Sequence, residues 1–219
     1  MYFLEDIFLF VLLFYFMFAY KQLKSNNKDL VFSVPSGNFG NICAGMMAQK
    51  LGLPIHHFVA SNNENNVVTE YLKTKEYNPK PSVQTISNAM DVGNPSNFIR
   101  IQEIHNNNFE HLQEHLSSFS FSDAETKKAL LEIYTKYNYI ADPHGAVGYL
   151  GAKEFLKTNP NTHCVFLETA HPTKFLDVVE EVIQTNVELP KQIQAVMHKE
   201  KSSIKISDYS GLKNFLLDQ

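Results

Sequence analysis

The chain has 219 residues, 44% hydrophobic and 19% charged, enough apolar material for a core in one large domain or two small ones. A net charge of −4 without any basic block argues against nucleic acid as the main partner. Cys43 and Cys164, the two cysteines, fit no metal or redox spacing. They read as small apolar residues of a reducing, cytoplasmic compartment in preference to a disulfide.

Residues 7–20 form an unbroken apolar and aromatic run, with Glu5 and Asp6 before it and Lys21 and Lys24 after it. A spanning helix uses roughly 20 such residues, and a signal peptide has positive charge before its core. A buried helix is the preferred reading, ahead of a membrane anchor and then a signal peptide. Acids first and lysines last also suit a helix dipole. A polar loop at 25–29 follows.

Leu30-Val31-Phe32-Ser33 reads as a strand, and Ile42 to Leu51 as a helix ended by Gly52 and Pro54. Between them lies Val34-Pro35-Ser36-Gly37-Asn38-Phe39-Gly40-Asn41. A strand, a glycine-bearing turn and a helix start suit an anion, because the first helical amides lack partners and carry partial positive charge. Neither the Gly-Lys-Ser/Thr of a P-loop nor the three glycines of a dinucleotide fingerprint is present. A cup for one phosphate monoester and an ordinary tight turn both remain open. The next strand reads as 55–60, which makes a β-loop-α-β unit with a parallel pair.

Residues 65–73 read as a helix, and 87–97 as a polar loop too long for a simple turn. Helical patterns over about 96–107, 109–117 and 123–137 suggest a helical insertion. Asp142-Pro143-His144-Gly145 is a turn before a helix. Cys164 to Leu167 reads as a buried strand ending at Glu168-Thr169-Ala170-His171-Pro172, with a helix over 174–184. The division expected is an apolar helix at 1–24, an α/β domain at 25–188 with the insertion at 96–137, and a helical tail at 189–219. The fold class is α/β, an open and mostly parallel sheet.

His111 and His115, four apart beside Glu110 and Glu114, read as a solvated helix face; no metal is expected. His144 and His171 are cappers or cleft-lining groups with equal weight. Thr169 reads as a helix cap or turn residue, with a hydrogen bond to a ligand ring nitrogen as the competing role.

Four segments, taken in order, carry a resemblance. They are Ser36 to Asn41, Ser87 to Asn97, Asp142 to Gly148 and Thr169 to Phe175. Together they resemble threonine synthase over about residues 18–185. The resemblance implies a three-layer sheet of the tryptophan-synthase-β-like fold, incomplete here, that uses pyridoxal 5′-phosphate to convert O-phosphohomoserine and water to threonine and phosphate. It implies that Gly37, Asn38, Phe39, Gly40 and Asn41 hold the cofactor phosphate and that Thr169 faces the pyridine nitrogen. Ser87, Asn88 and Asp91 are its substrate-cleft candidates. The family's Schiff-base lysine lies far upstream of the glycine loop, where this sequence offers only Lys21, Lys24 and Lys28 at a helix end or polar loop. The expectation is therefore a C-terminal portion, inactive alone, that needs a complementing N-terminal half. The alternative is a non-catalytic, membrane-anchored or remnant binding module.

Overall fold

The computed structural model describes residues 2–23, 28–196 and 198–218; Lys24 and loop positions 25–27 lie outside the described residues. They divide into two compact units, Met1–Val187 and Glu188–Gln219. In the first, β1 (Leu30–Pro35), β2 (His57–Asn62), β3 (Leu116–Ser120) and β4 (His163–Phe166) make one open sheet in the order β3-β2-β1-β4. Every pairing is parallel, with Val31 opposite His57 and Cys164, and Phe58 opposite Leu116. Every residue of β1 and β2 is buried, which is why these strands read as continuous runs without alternation.

Two helical layers cover the sheet. On one face α1 (Tyr2–Leu23) packs with α2 (Gly40–Lys50), and Phe16 stands edge-on to Phe32 at 5.0 Å and Phe58 at 6.1 Å. Leu9, Leu13 and Phe16, spaced four and three apart, form the buried stripe of α1. Each contributes about 1.5–3 kcal/mol through burial. Phe10, Val11, Phe14, Tyr15 and Phe18 occupy the other side, 42% to 65% exposed. The apolar run is thus a core helix on one face only, in the same compact unit as the sheet. No helix among the described residues is long and apolar enough to cross a membrane.

On the opposite face lies α7 (Pro143–Leu156), where Phe155 packs with Val31 and Val59. Polar strand positions on this side are satisfied internally. Ser33 donates to the Gly148 carbonyl at 2.6 Å and accepts from Ser61 at 2.8 Å.

The remaining described α-helices of this unit are α3 (Val67–Thr74), α4 (Phe98–Ile104), α5 (Phe109–His115), α6 (Asp123–Tyr137) and α8 (Leu176–Ile183). Residues 96–137 are not a purely helical insertion: 116–120 is the edge strand β3. Its Leu-Ser-Ser-Phe-Ser sequence is a weak strand former, and only Leu116 is buried, so pairing with β2 decides its state. The α6 start carries a full capping box between Ser122 and Glu125. The second unit holds α9 (Lys191–Gln194) and α10 (Tyr209–Leu217); Asp208 caps α10 by accepting from the Gly211 amide at 2.7 Å.

Candidate functional site

The turn after β1 is held by its neighbours, not by the space it encloses. The Ser36 amide donates to the Ser61 carbonyl at 2.9 Å, and the Ser36 carbonyl accepts from Asn62 Nδ2 at 2.6 Å. Asn38 spends its side chain on Ser96, accepting from its amide at 2.7 Å and donating to its hydroxyl at 3.0 Å. Phe39 is the N-cap of α2 in the left-handed region, φ 62°, where a bulky residue is strained. Its buried ring, edge-on to Phe98 at 5.7 Å, holds it there. Gly37 is required by proximity: a Cβ would lie 2.5 Å from Met90 Cα. No side chain caps α2, and among the described residues the amides of Gly40, Asn41 and Ile42 meet no acceptor.

Gly40 and Asn41 border a cavity of about 570 Å³. Gly37, Asn38, Phe39, Gly40 and Asn41 line it from the end of β1, and Thr169 from the end of β4. Because β1 and β4 are paired neighbours, their carboxyl ends bring the two turns side by side. Met90, Asn97 and His144 add to the wall.

The segment 84–97 holds Ser87, Asn88 and Asp91, the substrate-cleft candidates. None of the three lines the cavity. Asp91 Oδ1 accepts from Thr85 Oγ1 at 2.7 Å, Asn63 Nδ2 at 2.9 Å and Asn65 Nδ2 at 3.1 Å, while Oδ2 accepts from the Thr85 amide at 3.0 Å. Ser87 Oγ accepts from Asn63 Nδ2 at 3.1 Å, and the exposed Asn88 opens a 3₁₀ turn, Asn88–Met90, whose last residue is buried. This network ties the segment to β2's carboxyl end and sets the Met90 backbone against Gly37. The residues of this segment that line the cavity are the apolar Ala89 and Met90, with Asn97.

Behind Thr169 is a buried acid cluster that sequence spacing does not flag. Asp142 caps α7, accepting from the His144 amide at 2.8 Å and from His144 Nδ1 at 2.6 Å. A carboxylate only accepts, so Nδ1 carries the proton of that bond. Glu168 hydrogen-bonds Asp142, and burial followed by the Asp142 charge pushes its carboxyl up to about 9. Hydrogen bonds from His144 and Glu168 outweigh burial and hold Asp142 below the usual carboxylate range. One proton on Glu168 thus lets two acids share a dry site. His171, by contrast, is a capper: its Nδ1 accepts from the Thr173 amide at 3.2 Å.

The proton has a consequence for stability. Glu168 binds it more tightly folded than unfolded, so its contribution is full below about pH 4.5 and is lost as pH rises toward about 9. Between pH 5 and 8.5, urea denaturation of the wild type is expected to show stability falling with pH, by at most about 1.4 kcal/mol per unit from this group. Glu168→Gln should flatten that slope; an unchanged slope in the variant would assign it elsewhere.

A family model described as "Threonine synthase, C-terminal" matches residues 145–216. The threonine synthase of Buchnera aphidicola subsp. Baizongia pistaciae is 42% identical over 207 residues, covering 94% of this chain and 47% of the relative. The chain belongs to the threonine synthase family. The solved threonine synthases agree. The pyridoxal-phosphate-bound enzyme from Brucella melitensis superposes with a TM-score of 0.80 at 28% identity, over 89% of this chain and 47% of that one. The Escherichia coli threonine synthase gives 0.77 at 34% identity, over 87% and 44%. The chain spans about half the length of the curated relatives it matches.

Proposed function

We propose that this chain forms the phosphate and ring-nitrogen side of a pyridoxal 5′-phosphate site. In this reading it serves the conversion of O-phospho-L-homoserine and water to L-threonine and phosphate. The open amides at the start of α2, in a turn with no room for a Cβ at Gly37, are the observation that carries the proposal. When bound, the cofactor supplies an electron sink for carbanion chemistry beside an amino acid's α-carbon.

The chain's own residues divide the remaining work. The backbone of Gly37, Asn38, Phe39, Gly40 and Asn41 binds the phosphate dianion at a positive helix end. The Thr169 hydroxyl meets the pyridine nitrogen as a neutral partner, which does not hold that nitrogen protonated as a carboxylate would. Its neighbour Glu168 is turned to Asp142 and protonated at neutral pH, which keeps negative charge away from the ring. His144, oriented by Asp142, is a wall residue that presents an imidazole of fixed tautomer.

Among the described residues, no lysine lines the cavity. The Schiff-base lysine is therefore assigned to a complementing segment, and catalysis to the two together. Mixing the chain with the lysine-bearing N-terminal half of a threonine synthase is expected to restore phosphate release from O-phosphohomoserine, where neither half alone releases it. If the two folded halves associate and bind cofactor yet release no phosphate, the assigned reaction is wrong. Thr169→Asp in the same mixture should cut turnover while leaving cofactor bound.

A further inference from the structure

At the opposite edge of the sheet, where β2 and β3 begin, three histidines converge. His111 and His115 are four apart on α5 and share one face. His105, the C-cap of α4, is 3% exposed and faces both. Ring centroids are 4.9 Å apart for His105 and His111, 5.0 Å for His111 and His115, and 5.4 Å for His105 and His115. Sequence spacing finds only the pair on α5, because His105 arrives through the turn between two helices.

The donor atoms of three side chains on α5 lie close together. One donor atom each from His111, Glu114 and His115 lies within 4.8 Å of the others. Two donors on one tetrahedral zinc lie about 3.3 Å apart, so a side-chain rotation of these partly exposed groups would close the set. His115 Nδ1 is buried with no hydrogen-bond partner among the described residues. A buried ring nitrogen without a partner is costly and is normally satisfied. His105 Nδ1 contacts His111 Nδ1 at 3.2 Å, fixing that ring as a supporting group fixes a metal-bound imidazole.

The backbone beneath is also fixed. His57 Nδ1 donates to the Glu114 carbonyl at 3.0 Å, and its Nε2 accepts from Ser117 Oγ at 2.8 Å.

We propose that His111, Glu114 and His115 bind a divalent transition metal of zinc type through two nitrogens and an oxygen, with His105 as the positioning residue behind His111. A water completes the fourth position. The set holds no cysteine, so cobalt(II) can replace zinc and report on coordination.

The test is titration of the full chain with zinc at pH 7.5 by calorimetry, paired with the visible spectrum of the cobalt(II) form. One equivalent should bind at micromolar concentration or tighter, with a tetrahedral cobalt spectrum. His111→Gln combined with His115→Gln should weaken binding at least about 100-fold, and His105→Ala about tenfold. Circular dichroism verifies that each variant is folded. If the wild type shows no stoichiometric zinc binding and no tetrahedral cobalt spectrum, the site does not exist. If the double variant binds as well as the wild type, the ligands are elsewhere and the proposal fails.

Discussion

Gly37→Val is expected to lower affinity for pyridoxal 5′-phosphate by about 100-fold or more. The reason is local. A Cβ at this position would sit 2.5 Å from Met90 Cα and 3.1 Å from the Ala89 carbonyl oxygen, both backbone atoms that cannot swing aside. Either the 3₁₀ turn at Asn88–Met90 retreats or the loop itself shifts, and both outcomes misaim the amides at the head of α2. A hydrogen bond to a charged group contributes about 1.5–3 kcal/mol, so losing two is enough for the stated drop. Asn38→Ala is the contrast. Its side chain bonds only Ser96, so its removal loosens the loop without obstructing it, and a loss within about tenfold is expected. Fluorescence titration of both variants checks the order. A Gly37→Val protein that binds as the wild type does would show that the phosphate is not held there.

Asp142→Ala is expected to cost about 3–5 kcal/mol in a urea titration, one of the larger effects available in this chain. The carboxylate is fully buried and does three things at once: it caps α7, accepts from His144 Nδ1 and accepts from Glu168. A lost cap alone costs about 1 kcal/mol. The rest comes from leaving the His144 ring and the Glu168 carboxyl buried without their partner. Asp142→Asn keeps an oxygen for the cap and for His144, and should cost less than half as much. Gly145 lies in the same knot, since a Cβ there would overlap the Glu168 carboxyl. A loss under 1 kcal/mol for Asp142→Ala would mean that the cluster is not a cooperative unit.

The legible parts of the sequence were those where one local rule decides the outcome. The first two strands and α2 follow from apolar runs and from Gly52, whose φ of 102° ends that helix. The glycine turn was visible because helix starts leave amides free whatever the rest of the fold does. What sequence alone did not give depended on distant partners. Residues 116–120 become a strand only because β2 offers a ladder edge. The cleft role of Asp91 and Ser87 comes from the family resemblance alone, and their contacts with Asn63, Asn65 and Thr85 are anchoring ones that no local pattern announces. Glu168 gave no sign of holding a proton, because its shift comes from burial and from Asp142, 26 residues earlier. The half-buried character of α1 was also hidden, since its run is apolar all round while one face packs.

Calorimetric titration of the chain with pyridoxine 5′-phosphate, set beside pyridoxine, tests the phosphate cup most directly. Neither compound carries an aldehyde, so surface lysines cannot capture them. Saturable binding of one phosphate ester per chain is predicted, displaced by inorganic phosphate and at least about 100-fold tighter than binding of the unphosphorylated ring. Equal affinities for the two, or no binding of either, would contradict it.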